Sequence, residues 1–385
     1  MSNRNWRLPA GVEELLPPRA WALELTRRRV LDVFRTWGFE YIDPPVVEYL
    51  DALLVGAGAD MDLQTLKAVD QPSGRLLGVR ADLTAQAVRV DAHSRPEPGV
   101  QRLCYAGNVV FANPVSPLDP RVPLKAGAEL FGAGTLRADA EVIALMLEVL
   151  ASVGIEEPIL VLGHMGIYQN LVAALDLADG LEDELFEAVQ TKAEADIARL
   201  VPASPTRSWL TALPSLMGER AVLAEARIVL DGAGDGVGAA LDALEALADM
   251  VLEAAPTLEL RFDLAELVGY GYHNGPVFSA YHADHGRALA RGGRYDGIGS
   301  AFGRSRPATG FDVILNELAA APAPAGAIWV PWSVASAAAA GETVRRLRAD
   351  GEAVVMALSA DDERPARCDR ILRQKAEAWV LDPAS

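Results

Sequence analysis

Five histidines and two cysteines limit where nucleophilic or metal chemistry can sit in this chain. His282 and His285 flank Ala-Asp, a spacing two metal ligands can share. No third ligand stands near them, so solvent-facing loop residues and no metal are expected. Cys104 lies in an apolar run with no neighbouring histidine base, so a buried, unreactive thiol is expected. Gly232-Ala-Gly234-Asp-Gly236-Val-Gly238 follows Ile228-Val229-Leu230 and invites a nucleotide-loop reading. It lacks the lysine of a P-loop and the glycine spacing of a dinucleotide loop, and it lies within helical sequence. A helix–helix connection is expected there. His164 reads as structural, whereas His273, beside Tyr270 and Tyr272, is a pocket candidate.

The elements that position any such site follow from periodicity. Val30, Val33, Phe34 and Trp37 share one helix face, and Gly38 is a natural stop. Residues 41–48 read as an extended edge or interface segment because of Pro44 and Pro45. Residues 65–69 and 75–80 predict a hairpin, and Asp82 or Thr84 can open the helix that follows. Strands are expected at 102–111 and 124–131, then a helix carrying Val142, Leu145, Met146 and Val149 and ending near Gly154. A strand at 158–162 precedes a mainly helical stretch, 165–256. Leu258, Leu260, Phe262 and Leu264 alternate as a strand, with more sheet at 277–283 and 288–291. Ala-Pro-Ala-Pro-Ala-Gly (321–326) is a linker by composition. Beyond it the pattern predicts a βαβαβ unit with parallel strands. The expectation is an α+β fold: a mostly antiparallel sheet with helices in 1–164, a helical insertion at 165–256, a resumed core at 257–320 and a small α/β appendage at 327–385.

Bulk properties exclude some functions. The formal net charge is −18, and the arginine clusters Arg27-Arg28-Arg29 and Arg345-Arg346 with Arg348 are short. Phosphate neutralisation supplies most nucleic-acid affinity, so no nucleic-acid partner is expected. No run of about twenty apolar residues lacks charge, so no membrane span is expected. The opening residues show no signal-peptide core, and two cysteines suit a reducing cytoplasm.

Several motifs occur in order and at family spacing. Arg-Leu-Cys-Tyr-Ala-Gly-Asn-Val-Val-Phe-Ala-Asn (102–113) resembles the strand with which class II aminoacyl-tRNA synthetases grip an activated amino acid. Residues 20–48 resemble the family's dimer-forming first motif, with Pro45 at its hallmark proline, which implies self-dimerisation. Val-Gly-Tyr-Gly-Tyr-His-Asn-Gly (268–275) and Ala-Arg-Gly-Gly-Arg-Tyr-Asp-Gly (290–297) resemble the two signatures of histidyl-tRNA synthetase. Thr-Gly-Phe-Asp-Val-Ile-Leu-Asn-Glu-Leu (309–318) resembles the glycine-then-helix motif that brings an arginine to ATP. The likeness runs from the N-terminus to about residue 320.

The departures concern cations. Where the family carries arginines, this chain has Ala112, Val268 and Glu317. Loss of one such donor costs roughly 3–4 kcal/mol of barrier. The resemblance with those losses implies no catalytic residues, no cofactor and no useful adenylation. This profile resembles the regulatory subunits of ATP phosphoribosyltransferase, which in that family assemble with a short catalytic subunit, typically as a hetero-octamer, under feedback by L-histidine.

The resemblance also implies a surviving histidine pocket. Asp82 and Thr84 match the Glu and Thr that face the substrate, and Lys125 and Glu129 match the next pocket positions. Asp82 and Glu129 would accept charge-assisted hydrogen bonds, and Thr84 adds an acceptor. Tyr270, Tyr272, Tyr295 and His273 would wall the ring, while Lys125 would face the carboxylate. Two alternatives stay open: a divergent histidine-activating enzyme using Lys125 or Arg121 as replacement cations, and a scaffold in which Asp82 only caps a helix and the tyrosines only fill the sheet.

Overall fold

A computed structural model describes residues 7–55, 59–113, 120–173, 175, 177, 180–267, 273–318, 326–336, 340–375 and 378–384. Val268, Tyr270 and Tyr272 lie outside the described residues. The chain divides into two compact units, Met1–Ala321 and Pro322–Ser385.

The first unit is built on a nine-stranded sheet. Its edge-to-edge order is Glu40–Tyr41, Gln101–Asn108, Leu124–Phe131, Ala308–Ile314, Ala290–Arg294, Pro276–Tyr281, Ile159–His164, Glu259–Asp263 and Met217–Gly218. Glu40–Tyr41 runs parallel to its neighbour, as do Ile159–His164 and Glu259–Asp263; the remaining pairs are antiparallel. Helix Arg19–Thr36 buries Ala22, Thr26, Val30 and Phe34, one residue per turn, and ends before Gly38, whose φ of 78° is left-handed. Helix Leu136–Ser152 buries Val142, Leu145, Met146 and Val149 and packs against Asp235–Ala254, whose buried stripe is Leu241, Leu244, Ala248 and Val251. These apolar faces meet in one large core, and truncating a fully buried leucine there would cost about 2–5 kcal/mol.

Pro44 and Pro45 break the 41–48 segment into two short strands in different sheets. Glu40–Tyr41 edges the large sheet, and Val47–Tyr49 joins the hairpin Leu66–Val69 and Leu76–Val79 in a three-stranded antiparallel sheet. The glycine run is a helix connection: Gly232 and Gly234 have φ of 80° and 103° between Ala221–Val229 and Asp235–Ala254.

Two expectations need correction. Residues 309–318 open as a central strand, Ala308–Ile314, and close in a short 3-10 turn, Leu315–Glu317. Thr309, Phe311 and Val313 are all buried, and this short apolar alternation was hidden by the glycine. In the second unit, Ala327–Val330 does pair in parallel with Val354–Met356 and with Cys368–Lys375. The second helix is absent among the described residues, and Cys368–Lys375 forms an antiparallel hairpin with Ala378–Pro383. In that strand Cys368 packs with Ala327 and Trp329, Leu372 packs with Ile328 and Val330 in a separate cluster after a shift in register, and Arg370 pairs with Glu352 at 2.6 Å. Its many charges mask the two-residue period.

Candidate ligand-binding site

The site lies on one face of the large sheet where four strands bring their alternate residues together. Register places Glu129 beside Gly310 and Gly310 beside Gly293; one pleat along, Gly127 lies beside Asp312 and Asp312 beside Arg291. The glycines make this face. A Cβ on Gly127 would meet the Tyr105 ring at 2.6 Å, and one on Gly293 would meet His273 at 2.9 Å. A Cβ on Gly310 would overlap the Glu129 carboxylate. Large polar side chains therefore lie flat across bare backbone, which a side chain at any of these positions would prevent.

Glu129 is the centre of this arrangement. It is 1% exposed. One carboxyl oxygen accepts from the Tyr105 hydroxyl at 2.9 Å, and the other accepts from the Tyr295 hydroxyl. The Tyr105 oxygen also lies 3.2 Å from the Thr84 hydroxyl. Burial pushes Glu129 up to about 8, against the stabilising hydrogen bonds of Tyr295 and Tyr105. Burial likewise raises the Tyr105 hydroxyl well above its ordinary value. His273 is buried edge-on to Tyr295, with ring centroids 6.1 Å apart.

Lys125 does not present a free ammonium to a ligand. Its Nζ lies 2.6 Å from Asp82 and 2.9 Å from Asp312. Asp82 also accepts from the Thr84 backbone N–H at 3.0 Å, the local turn that opens helix Thr84–Arg89. Burial opposes ionisation of Asp82, but Lys125 outweighs it and holds the carboxyl below its usual range. Asp312 is pushed up by burial against the pull of Lys125, and Lys125 itself is raised because two carboxylates outweigh its desolvation. Two internal carboxylates thus share the ammonium that the sequence reading assigns to a ligand carboxylate.

A cavity of about 40 Å³ is lined by Thr84, Glu129, His273, Arg291, Tyr295 and Asp312, among others. It adjoins a cleft of about 370 Å³ that shares Arg291 and Asp312 and includes Lys125, Arg287 and Glu317. Glu317 pairs with Arg287 at 3.1 Å. Ala112 sits beside the cleft residues Phe111 and Asn113, its N–H donating to Gln64 O at 2.7 Å. Asp82, Thr84, Lys125, Glu129, His273 and Tyr295 are therefore gathered around one region. Tyr105, Asp312, Arg287 and Arg291 were not singled out from sequence. Tyr105 and Asp312 lie inside quoted motifs, at in-facing strand positions that only the register makes visible.

Cys104 and His164 occupy buried or capping positions. Burial raises the Cys104 thiol to about 12. His164 caps helix Met165–Val172 through Nδ1, and burial lowers it to about 4. His282 and His285 pack with ring centroids 5.6 Å apart, and among the described residues no group of three potential ligands could hold a metal.

Comparison with known proteins decides the family. Residues 11–318 match the histidyl-tRNA synthetase family model, and residues 325–382 match the model of the ATP phosphoribosyltransferase subunit HisZ C-terminal domain. Proteins described as ATP phosphoribosyltransferase regulatory subunit, from Pseudomonas savastanoi and Pseudomonas entomophila, are 45% and 46% identical over 98% of this chain and 98% of their own. The chain belongs to the ATP phosphoribosyltransferase regulatory subunit family. A solved structure from Bacillus halodurans, described as an ATP phosphoribosyltransferase regulatory subunit/histidyl-tRNA synthetase, is 30% identical, covers 93% of this chain and 94% of its own, and has a TM-score of 0.81. Histidyl-tRNA synthetase from a Nostoc species, 15% identical over 98% of this chain and 97% of its own with a TM-score of 0.75, shares the fold. This regulatory subunit therefore carries a class II synthetase-like fold in a non-catalytic role within histidine biosynthesis.

Proposed function

We propose that this regulatory subunit binds L-histidine at the Glu129 cavity and passes its occupancy to a short-form ATP phosphoribosyltransferase catalytic subunit in a cytoplasmic hetero-oligomer, a hetero-octamer by family resemblance. The observation that carries the pocket is the buried Glu129 carboxyl, aligned by two tyrosine hydroxyls at the end of a cavity. Such a group accepts a hydrogen bond from a ring N–H and rejects ligands that cannot give one. A single histidine needs more than the small cavity and extends into the adjoining cleft. Feedback requires that histidine prefer one state of the assembly, since equal binding to two states shifts neither.

Activation of the bound amino acid is disfavoured by the same residues. Ala112 offers no charge, and Glu317 places a carboxylate where a phosphate would need a cation. Self-association through 20–48 is supported by exposed apolar side chains there and on the small sheet, including Trp21, Tyr41, Val47, Val69 and Leu76.

Mixing the purified chain with the catalytic subunit tests the proposal. Co-elution on gel filtration is expected, with phosphoribosyl transfer that histidine suppresses. Failure to co-elute would remove the assembly. Histidine-dependent pyrophosphate exchange by this chain alone, well above a blank, would favour the divergent enzyme instead.

A further inference from the structure

Among the described residues, three cationic side chains line the two adjoining cavities: Lys125, Arg287 and Arg291. An amino acid brings a carboxylate that must be met by positive charge if it leaves water. Lys125 lies between Asp82 and Asp312, and Arg287 pairs with Glu317. Arg291 makes no ion pair among the described residues; it hydrogen-bonds the neutral Tyr281 hydroxyl, and Asp312 feels its charge. It is also the only one of the three that lines both cavities.

Register gives Arg291 the right placement. It pairs with Asp312, on the same sheet face as Gly310 and Glu129. Two strands and two residues separate Arg291 from Glu129, an offset of about 12 Å between backbones at ordinary strand spacing. Both residues line the same small cavity, and the exposed Arg291 also borders the adjoining cleft. Asp82, Asp312 and Lys125 together leave one surplus negative charge when ionised, and Arg291 supplies the opposing positive end. The region thus has a hydrogen-bonding carboxyl, Glu129, and a guanidinium, Arg291, on one sheet face.

We propose that Arg291 reads the ligand's carboxylate and makes this pocket specific for an amino acid over the corresponding amine. The inference rests on the histidine reading above. An arginine offers a planar fork that matches a carboxylate with two hydrogen bonds, which Lys cannot reproduce. Removal should therefore weaken ligands that carry a carboxylate and spare those that lack one.

The test is calorimetric titration of the full-length chain, alone and with the catalytic subunit, using histidine and histamine. Wild type is expected to favour histidine. Arg291→Ala should lose roughly tenfold to a hundredfold in histidine affinity with histamine unchanged. Arg291→Lys should recover part of the loss. Equal histidine affinity in Arg291→Ala and wild type would overturn the assignment while leaving the pocket in place. Equal loss of both ligands would overturn it too, because Arg291 would then act on the fold. No histidine binding by wild type in either setting would sink the pocket reading and this inference together.

Discussion

Glu129 is a carboxyl kept from water and given two hydroxyl donors, and the two effects oppose one another. Burial wins, so its folded value of about 8 stands above the ordinary 4.5. The folded state therefore holds a proton that the unfolded chain releases. Its contribution to stability is full below about pH 4.5 and disappears as pH rises through about 8. Glu129→Gln removes this titration. Unfolding measured from pH 5 to 9 should show wild type losing up to a few kcal/mol that the variant keeps. Parallel pH profiles would mean that Glu129 is ionised in the folded protein. The role of Lys125 shows where residue-level reading stops. Sequence gives a cation at a pocket position; only the register reveals Asp82 and Asp312 on either side of it.

Helix Leu136–Ser152 and strand Ala290–Arg294 are joined by a buried ion pair, Asp139 to Arg294 at 2.9 Å. Arg294 also donates to the Ala133 and Thr135 carbonyls, so one guanidinium closes the entry to the helix. Asp139→Ala would leave Arg294 with Asp296, at 3.2 Å, as its remaining carboxylate and should lower stability by about 1–3 kcal/mol in urea unfolding. A loss under 1 kcal/mol would show that water reaches Arg294 once its partner is gone. Most elements were legible because their periods are clean: the helix carrying Val30 and Phe34, the hairpin around Asp70–Gly74 and the alternating strand at Leu260 and Phe262. Strand Ala308–Ile314 and the C-terminal hairpin were not. In the first, Gly310 is required by Glu129 across the sheet, so a non-local contact chose the residue. In the second, Arg370, Arg373 and Lys375 gave a helix-like composition to a strand held by pairing with Ala327–Val330.

At the scale of the whole molecule, this class II synthetase-like fold sets a floor of glycines and a buried acceptor beside cations that are mostly paired within the protein. Lys125 and Arg287 pair with internal carboxylates, and Arg291 lines the cavity. The ordered motifs made the fold readable from sequence, and they nominate residues that the fold gathers around the Glu129 cavity. Tyr105, Asp312 and Arg291 were not readable, because their roles depend on which strands are neighbours. Histidine inhibition of the reconstituted phosphoribosyltransferase, compared between wild type and Glu129→Ala, is the most direct measurement. The variant should retain the uninhibited rate and need roughly tenfold more histidine for half-inhibition, about the worth of one buried hydrogen bond. An unchanged histidine response in Glu129→Ala would contradict a sensor at this site.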